Sequence, residues 1–135
     1  MTEKIPRNPD EFTNLLSLLA KEDYCYLTTT GRVSGQPREI EIWFMLQGST
    51  LYMLSGGGDR SNWVKNLRKT PVVSVRIARH TFPGVAREVA DAAEDSMARR
   101  LLTAKYQGWR EGSEMSEWGK TAKPIAVDLQ LGQSS

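Results

Sequence analysis

Glu39-Ile40-Glu41-Ile42 alternates acid and branched aliphatic without a break and runs directly into Trp43-Phe44-Met45-Leu46. A period of two has one regular solution, a β-strand with one wet face and one dry face. The apolar continuation requires cover on both faces of the strand's far end. Similar stretches follow the same logic. Tyr24 to Thr30 is rich in aromatic and β-branched residues, and Leu51-Tyr52-Met53-Leu54 and Val72 to Ala78 are short apolar runs. Val85 to Ala90 reads as a return strand, and Ile125, Val127 and Leu129 alternate within Pro124 to Leu131. Turn chemistry separates them at Gly31 to Pro37, at Gln47-Gly48-Ser49 and near Pro83-Gly84. Six short strands with mostly hairpin-length links predict a mainly β (α+β) antiparallel barrel rather than a parallel sheet.

Helices fall between and outside these strands. Asn8-Pro9-Asp10-Glu11 has the order of a helix start, with Phe12, Leu15, Leu16 and Leu19 on one face up to about Lys21. Asp59 or Ser61 caps a short helix carrying Trp63, Val64 and Leu67, which Pro71 ends. Asp91 to Gln107 reads as a longer helix with Met97, Leu101 and Leu102 inward, and Ser116 to Thr121 as one further turn. These helices pack outside the barrel. At 135 residues the chain suits one domain, 1–135, with an N-terminal helical segment over 1–22 and a frayed tail over 132–135.

Charge and cysteine content narrow the function. The net charge is only +2, and no basic stripe is interleaved with aromatics, so nucleic acid is not an expected partner. The lone Cys25 cannot form an internal disulfide, which suits a reducing compartment and, on its core strand, an inert thiol. With no signal-peptide core and no apolar run of about 20 residues, neither export nor membrane insertion is expected and the cytoplasm is the default. His80 is the single histidine, and with no His or Cys cluster no metal site is expected.

Between Thr28 and Thr70 the charge is concentrated: Arg32, Arg38, Arg60, Lys65, Arg68 and Lys69 face three acids, Glu39, Glu41 and Asp59. Inside that span, Thr30-Gly31-Arg32-Val33-Ser34-Gly35-Gln36-Pro37-Arg38 combines glycines, hydroxyls and two arginines. It is either an anion nest for a phosphate or a plain hairpin loop with exposed arginines. Ser55-Gly56-Gly57-Gly58 then sits at a strand-to-helix junction, where side chains are absent and a helix N-terminus points. It is either a place where a ligand meets the main chain or a flexible loop. Trp43, Tyr106 and Trp109 are each either core residues or ligand contacts; Tyr106 and Trp109 lie three apart, and that pair could wall an apolar pocket for a planar ring.

Taken together, Leu27 to Arg38, Trp43-Phe44, Ser55 to Gly58 and Trp63-Val-Lys-Asn-Leu67 with Pro71 resemble the deazaflavin-dependent nitroreductase family. These are split β-barrels related to the pyridoxamine 5'-phosphate oxidase-like FMN-binding proteins. The resemblance implies a six-stranded split barrel with outer helices and, as cofactor, coenzyme F420, a deazaflavin with an anionic phospholactyl and oligoglutamate tail. It implies a reductase that passes hydride from F420H2 to an electron-poor small molecule: a quinone, a nitro compound or an enone. By position, Arg32, Ser34, Gly35, Gln36 and Arg38 would hold the phosphate side, and Ser55, Gly57, Gly58, Trp63, Asn66 and Leu67 the ring and its linker. Lys4, Arg7 and Lys21 would meet the glutamates. Trp43, Tyr106 and Trp109 would border the acceptor, with Tyr106 the candidate catalytic proton donor unless water serves. Val33 and Gly56 stand where many members carry lysine. The alternatives are therefore FMN as cofactor and a non-catalytic flavin or apolar-ligand binder. A homodimer is compatible with the same reading.

Overall fold

The computed structural model describes residues 9–130. Lys4, Arg7, the Asn8 cap and the 132–135 tail therefore lie outside the described residues. In chain order the elements are α1 (Pro9–Leu19), β1 (Cys25–Thr30), β2 (Pro37–Ile42), β3 (Met45–Gln47) and β4 (Thr50–Ser55). A 3-10 turn (Gly58–Arg60), α2 (Asn62–Lys69), β5 (Val72–Ile77) and β6 (His80–Glu88) come next. Last among the described residues come α3 (Ala92–Gln107), α4 (Glu117–Thr121) and β7 (Lys123–Leu129).

Among the described residues the strands form one antiparallel sheet in the order β2-β1-β5-β6-β7-β4-β3, with seven strands rather than the expected six. The difference arises at Trp43-Phe44. The run from Glu39 to Leu46 reads as one strand, yet the structure divides it there. β2 pairs with β1 from Cys25↔Ile42 to Thr30↔Pro37, while β3 pairs with β4 from Met45↔Tyr52 to Gln47↔Thr50. These two segments occupy opposite edges of the sheet. Ile42 and Met45 are three peptide units apart and so at most about 11 Å from each other. The sheet must therefore curl until its edges meet, which is the split barrel.

A second boundary also moves. Pro83-Gly84 is not a turn but lies within β6, opposite Ser74 and Val73. The turn is Ala78-Arg79, with Ala78 at φ 55°. Ile77 and His80 close this two-residue hairpin, so alternation makes Ser74↔Pro83 a pair that exchanges no hydrogen bonds. A proline is tolerated there because its missing N–H is not needed by β5. β7 likewise ends at Leu129, two residues short of the expected Leu131.

Burial follows the curl. β1 alternates, with Cys25, Leu27 and Thr29 inward. β4 and β7 are dry on both faces. Leu51, Met53, Ile125 and Val127 fill the barrel, joined by Phe44 and by Val64 and Leu67 of α2. Tyr52, Leu54 and Ala126 look outward and are covered by Ala98 and Leu102 of α3. Two helix starts carry side-chain caps: Asp91 accepts from the Glu94 amide at 2.9 Å and Ser116 from the Gly119 amide at 3.1 Å.

Candidate functional site

The loop between β1 and β2 closes on itself. The Gly31 amide donates to the Gln36 carbonyl and the Gly35 amide to the Gly31 carbonyl, each at 2.8 Å. Gly35 sits at φ 72°, where a side chain would be strained. α2 lies against this loop and, with β2, encloses a cleft of about 740 Å³. Arg32, Ser34 and Arg38 of the loop line it from one side, and Asn62, Trp63 and Asn66 of α2 from the other. Five residues expected at the cofactor from sequence, on two separate stretches, are thus brought to one place; Asn62 is an addition. Val33, Pro37 and Ile40 add apolar lining, Thr29 a buried hydroxyl and Glu39 one carboxylate.

The two arginines behave differently. Both terminal nitrogens of Arg32 donate into α2, to the Asn66 Oδ1 at 2.9 Å and to the Asn62 Oδ1 at 3.2 Å. Arg38 is exposed and, among the described residues, donates one hydrogen bond, to the Ser34 Oγ at 3.2 Å. Gln36 lies exposed at the loop's end, with its backbone N–H donating to the same Ser34 Oγ at 3.1 Å.

Ser55-Gly56-Gly57-Gly58 is held by its own chain. The Ser55 Oγ donates to the Gly58 carbonyl at 3.1 Å and lies 2.7 Å from the Ser61 Oγ. A Cβ on Gly57 would stand 2.5 Å from that Ser61 Oγ, and one on Gly56 would stand 3.6 Å from the Trp118 indole. Asp59, in the following 3-10 turn, pairs with Arg68 and Lys123, which both reach Glu88 as well. Ser55, Gly57 and Gly58 do not line the cleft, and Leu67 is buried in the core at 2% exposure. The run instead connects two features: the start of α2, through Ser61, and Trp118.

Trp118 belongs to an aromatic cluster. The Trp43 indole stacks on Tyr106 with centroids 4.4 Å apart and meets Trp118 edge-on at 5.4 Å. The Tyr106 hydroxyl accepts from the Phe44 amide at 3.0 Å and points its own proton at the carbonyls of Asp23 and Phe44, at 2.8 and 3.0 Å. Burial pushes its pKa up to about 12. Lys105 lies over the Phe44 ring and donates to the Phe44 carbonyl, and burial lowers its pKa. Trp109 is not part of this cluster. α3 ends at Gln107, Gly108 turns the chain at φ 66°, and Trp109 donates to the Ser113 carbonyl beside a separate hollow. The shared helical face expected for Tyr106 and Trp109 therefore does not form. Trp118, absent from the sequence-derived site, takes the place beside Trp43; its only local signal was aromaticity.

The other reactive groups stand apart. Cys25 is fully buried, and burial pushes its thiol up to about 12. His80 stacks against Phe82 with centroids 6.4 Å apart. Among the described residues, no three His, Cys, Asp or Glu side chains gather into a metal-binding group, and no helix is long and apolar enough to cross a membrane.

Comparison with known proteins decides the family. The family described as F420H(2)-dependent quinone reductase matches residues 8–130. The chain belongs to that family. This F420H2-dependent reductase is an oxidoreductase, and its cofactor is coenzyme F420. Among solved structures, an F420H2-dependent reductase is 23% identical, covering 78% of this chain and 93% of that one, with a TM-score of 0.62. A pyridoxamine 5'-phosphate oxidase-like protein from Listeria innocua is 18% identical over 87% and 91%, with a TM-score of 0.64. A protein described as a domain-swapped dimer is 19% identical over 89% and 99%, also at 0.64. These likenesses establish the split-barrel fold of the reductase.

The reductase's cleft suits an anionic deazaflavin. The first turn of α2 contains no acid, and its N-cap Ser61 makes no side-chain bond to it. The positive end of the helix is thus unneutralised where Asn62 and Trp63 line the cleft. Arg38 adds an exposed cation and Trp63 an aromatic surface.

Proposed function

We propose that the chain uses F420H2 to reduce a flat, electron-poor acceptor of the quinone type, with nitro compounds and enones as related acceptors. The observation that carries this reading is the placement of the glycine run. At one end it meets Ser61 at the uncapped start of α2, and the next two residues of that helix, Asn62 and Trp63, line the cationic cleft. At the other it touches Trp118 and, through it, Trp43. A main chain without side chains thus links a place for an anionic tail to a place for a planar acceptor.

Arg38, the Ser34 hydroxyl and the α2 amides hold the phosphate, with Gly35 and Gln36 shaping the loop's rim. Trp63 and Ile40 flank the apolar part of the cofactor, and Lys21, exposed after α1, is available to the glutamates. Ser55, Gly57 and Gly58 keep the strand-to-helix junction open for the ring. When bound, reduced F420 supplies a hydride equivalent to the acceptor. Trp43 has its ring backed by Tyr106 yet is 36% exposed, so it offers a surface on which a flat acceptor orients. Because the Tyr106 proton is already engaged by carbonyls, Tyr106 serves as the backing of that wall and water supplies the proton.

The swapped dimer among the structural neighbours supports a homodimer here, which light scattering on the purified protein checks. The buried thiol of Cys25 suits work in the cytoplasm. The functional test is titration with F420 followed by tryptophan quenching, then F420H2 oxidation with a naphthoquinone. Saturable quenching and quinone-dependent oxidation are expected. Quenching without turnover would make the chain a carrier, and tight binding of FMN in preference to F420 would overturn the cofactor assignment.

A further inference from the structure

Family position gives Arg32 and Arg38 the same task, but the structure separates them. Arg32 is sewn to α2 at several points. Its amide donates to the Asn66 Oδ1 at 3.1 Å, and its guanidinium reaches that same oxygen, the Asn62 Oδ1 and, at 3.4 Å, the Asn62 carbonyl. Its carbonyl accepts from the Lys69 Nζ at 2.8 Å. The receiving side chain, Asn66, is 4% exposed and donates in turn to the Thr29 Oγ1 of β1 at 3.2 Å. A buried amide satisfied in this way has one workable orientation, because rotating it would strand polar atoms.

We infer that Arg32 is a positioning residue, which splints the glycine–arginine loop to α2 and thereby sets the width of the cleft, while Arg38 carries the contact to the anion. The inference rests on the reading of this cleft as the cofactor site. The planar fork of Arg32 is what spans two asparagines one helical turn apart; an ammonium is a point donor and cannot span both. Among the described residues Arg38 has no such network, so its charge is the property that matters, and another cation can replace it.

The distinction is tested with charge-conserving variants, reading the Kd for F420 by tryptophan quenching across a salt series. Arg32→Lys is expected to weaken binding about tenfold, as Arg32→Ala does, with the salt dependence of the parent protein. Arg38→Lys is expected to stay within about threefold, while Arg38→Ala loses about tenfold and its salt dependence flattens. An Arg32→Lys protein that binds as the parent does, beside an Arg32→Ala protein that does not, would show that only charge is used at Arg32 and overturn the inference. If no variant at either arginine changes the F420 Kd, the cleft is not the cofactor site and both readings fall. If Arg32→Lys does not fold, Asn62→Ala carries the test from an exposed position. A loss of about threefold is expected there, and unchanged binding would overturn the splint.

Discussion

The indole of Trp43 lies flat on the ring of Tyr106, with centroids 4.4 Å apart and planes 3° from parallel. The contact forms at the two-residue crossing between the sheet's opposite edges, so the same tyrosine both backs the indole and, through its hydroxyl, holds the main chain of Phe44. Tyr106→Phe keeps the stack but leaves the Phe44 amide and two carbonyls without this partner. Urea denaturation should show a loss of about 1–3 kcal/mol, with quinone turnover reduced only modestly. A fall in kcat of several orders of magnitude at unchanged stability would instead make Tyr106 the proton donor.

Trp43 and Trp109 should separate kinetically. Trp43→Ala removes the exposed surface offered to a flat acceptor, worth about 1–3 kcal/mol, so KM for a naphthoquinone should rise about tenfold or more. Trp109 stands beyond the end of α3 beside its own hollow, and Trp109→Ala should leave KM within about threefold. Steady-state kinetics on both variants checks this, and a larger effect from Trp109 would place the acceptor elsewhere.

Gly57 is constrained by its own chain. An added Cβ would displace the Ser61 hydroxyl and break its link to Ser55, so Gly57→Ala should cost about 1 kcal/mol in thermal denaturation. In a Ser61→Ala background the same change should cost distinctly less, because the obstructing oxygen is gone. An equal cost in both backgrounds would put the constraint elsewhere.

Glu94 couples stability to pH. Arg87 grips its carboxylate with two bonds of 2.8 Å and the Tyr52 hydroxyl adds a third, holding its pKa at about 2 rather than 4.5. Folding thus favours the ionised form. The resulting stability is complete above pH 4.5 and is lost as pH falls through about 2. Glu94→Gln should be less stable by about 1–3 kcal/mol at neutral pH. Its denaturation midpoint should converge on that of the parent below pH 4.5; a gap constant across that range would contradict the assignment.

Much of this protein could be read from neighbours along the chain. The period of two in Glu39 to Ile42, the β1–β2 and β3–β4 hairpins, and helices starting near Asp91 and Ser116 all depend on residues within a few positions of each other. The basic, glycine-rich loop was legible for the same reason, since backbone freedom and charge are local properties. Four features depended on distance in space. The strand from Glu39 to Leu46 breaks at Trp43-Phe44 because a curled sheet needs one segment on each edge, and periodicity reports only which face is dry. Pro83 sits inside β6 because its register spares its missing N–H. Trp118 reaches Trp43 across 75 residues of chain, while Trp109, only three residues from Tyr106, is turned away by Gly108. Arg32 and Arg38 look alike in sequence, and only the approach of α2, with Asn62 and Asn66 at hydrogen-bonding distance, assigns one to the scaffold and leaves the other exposed.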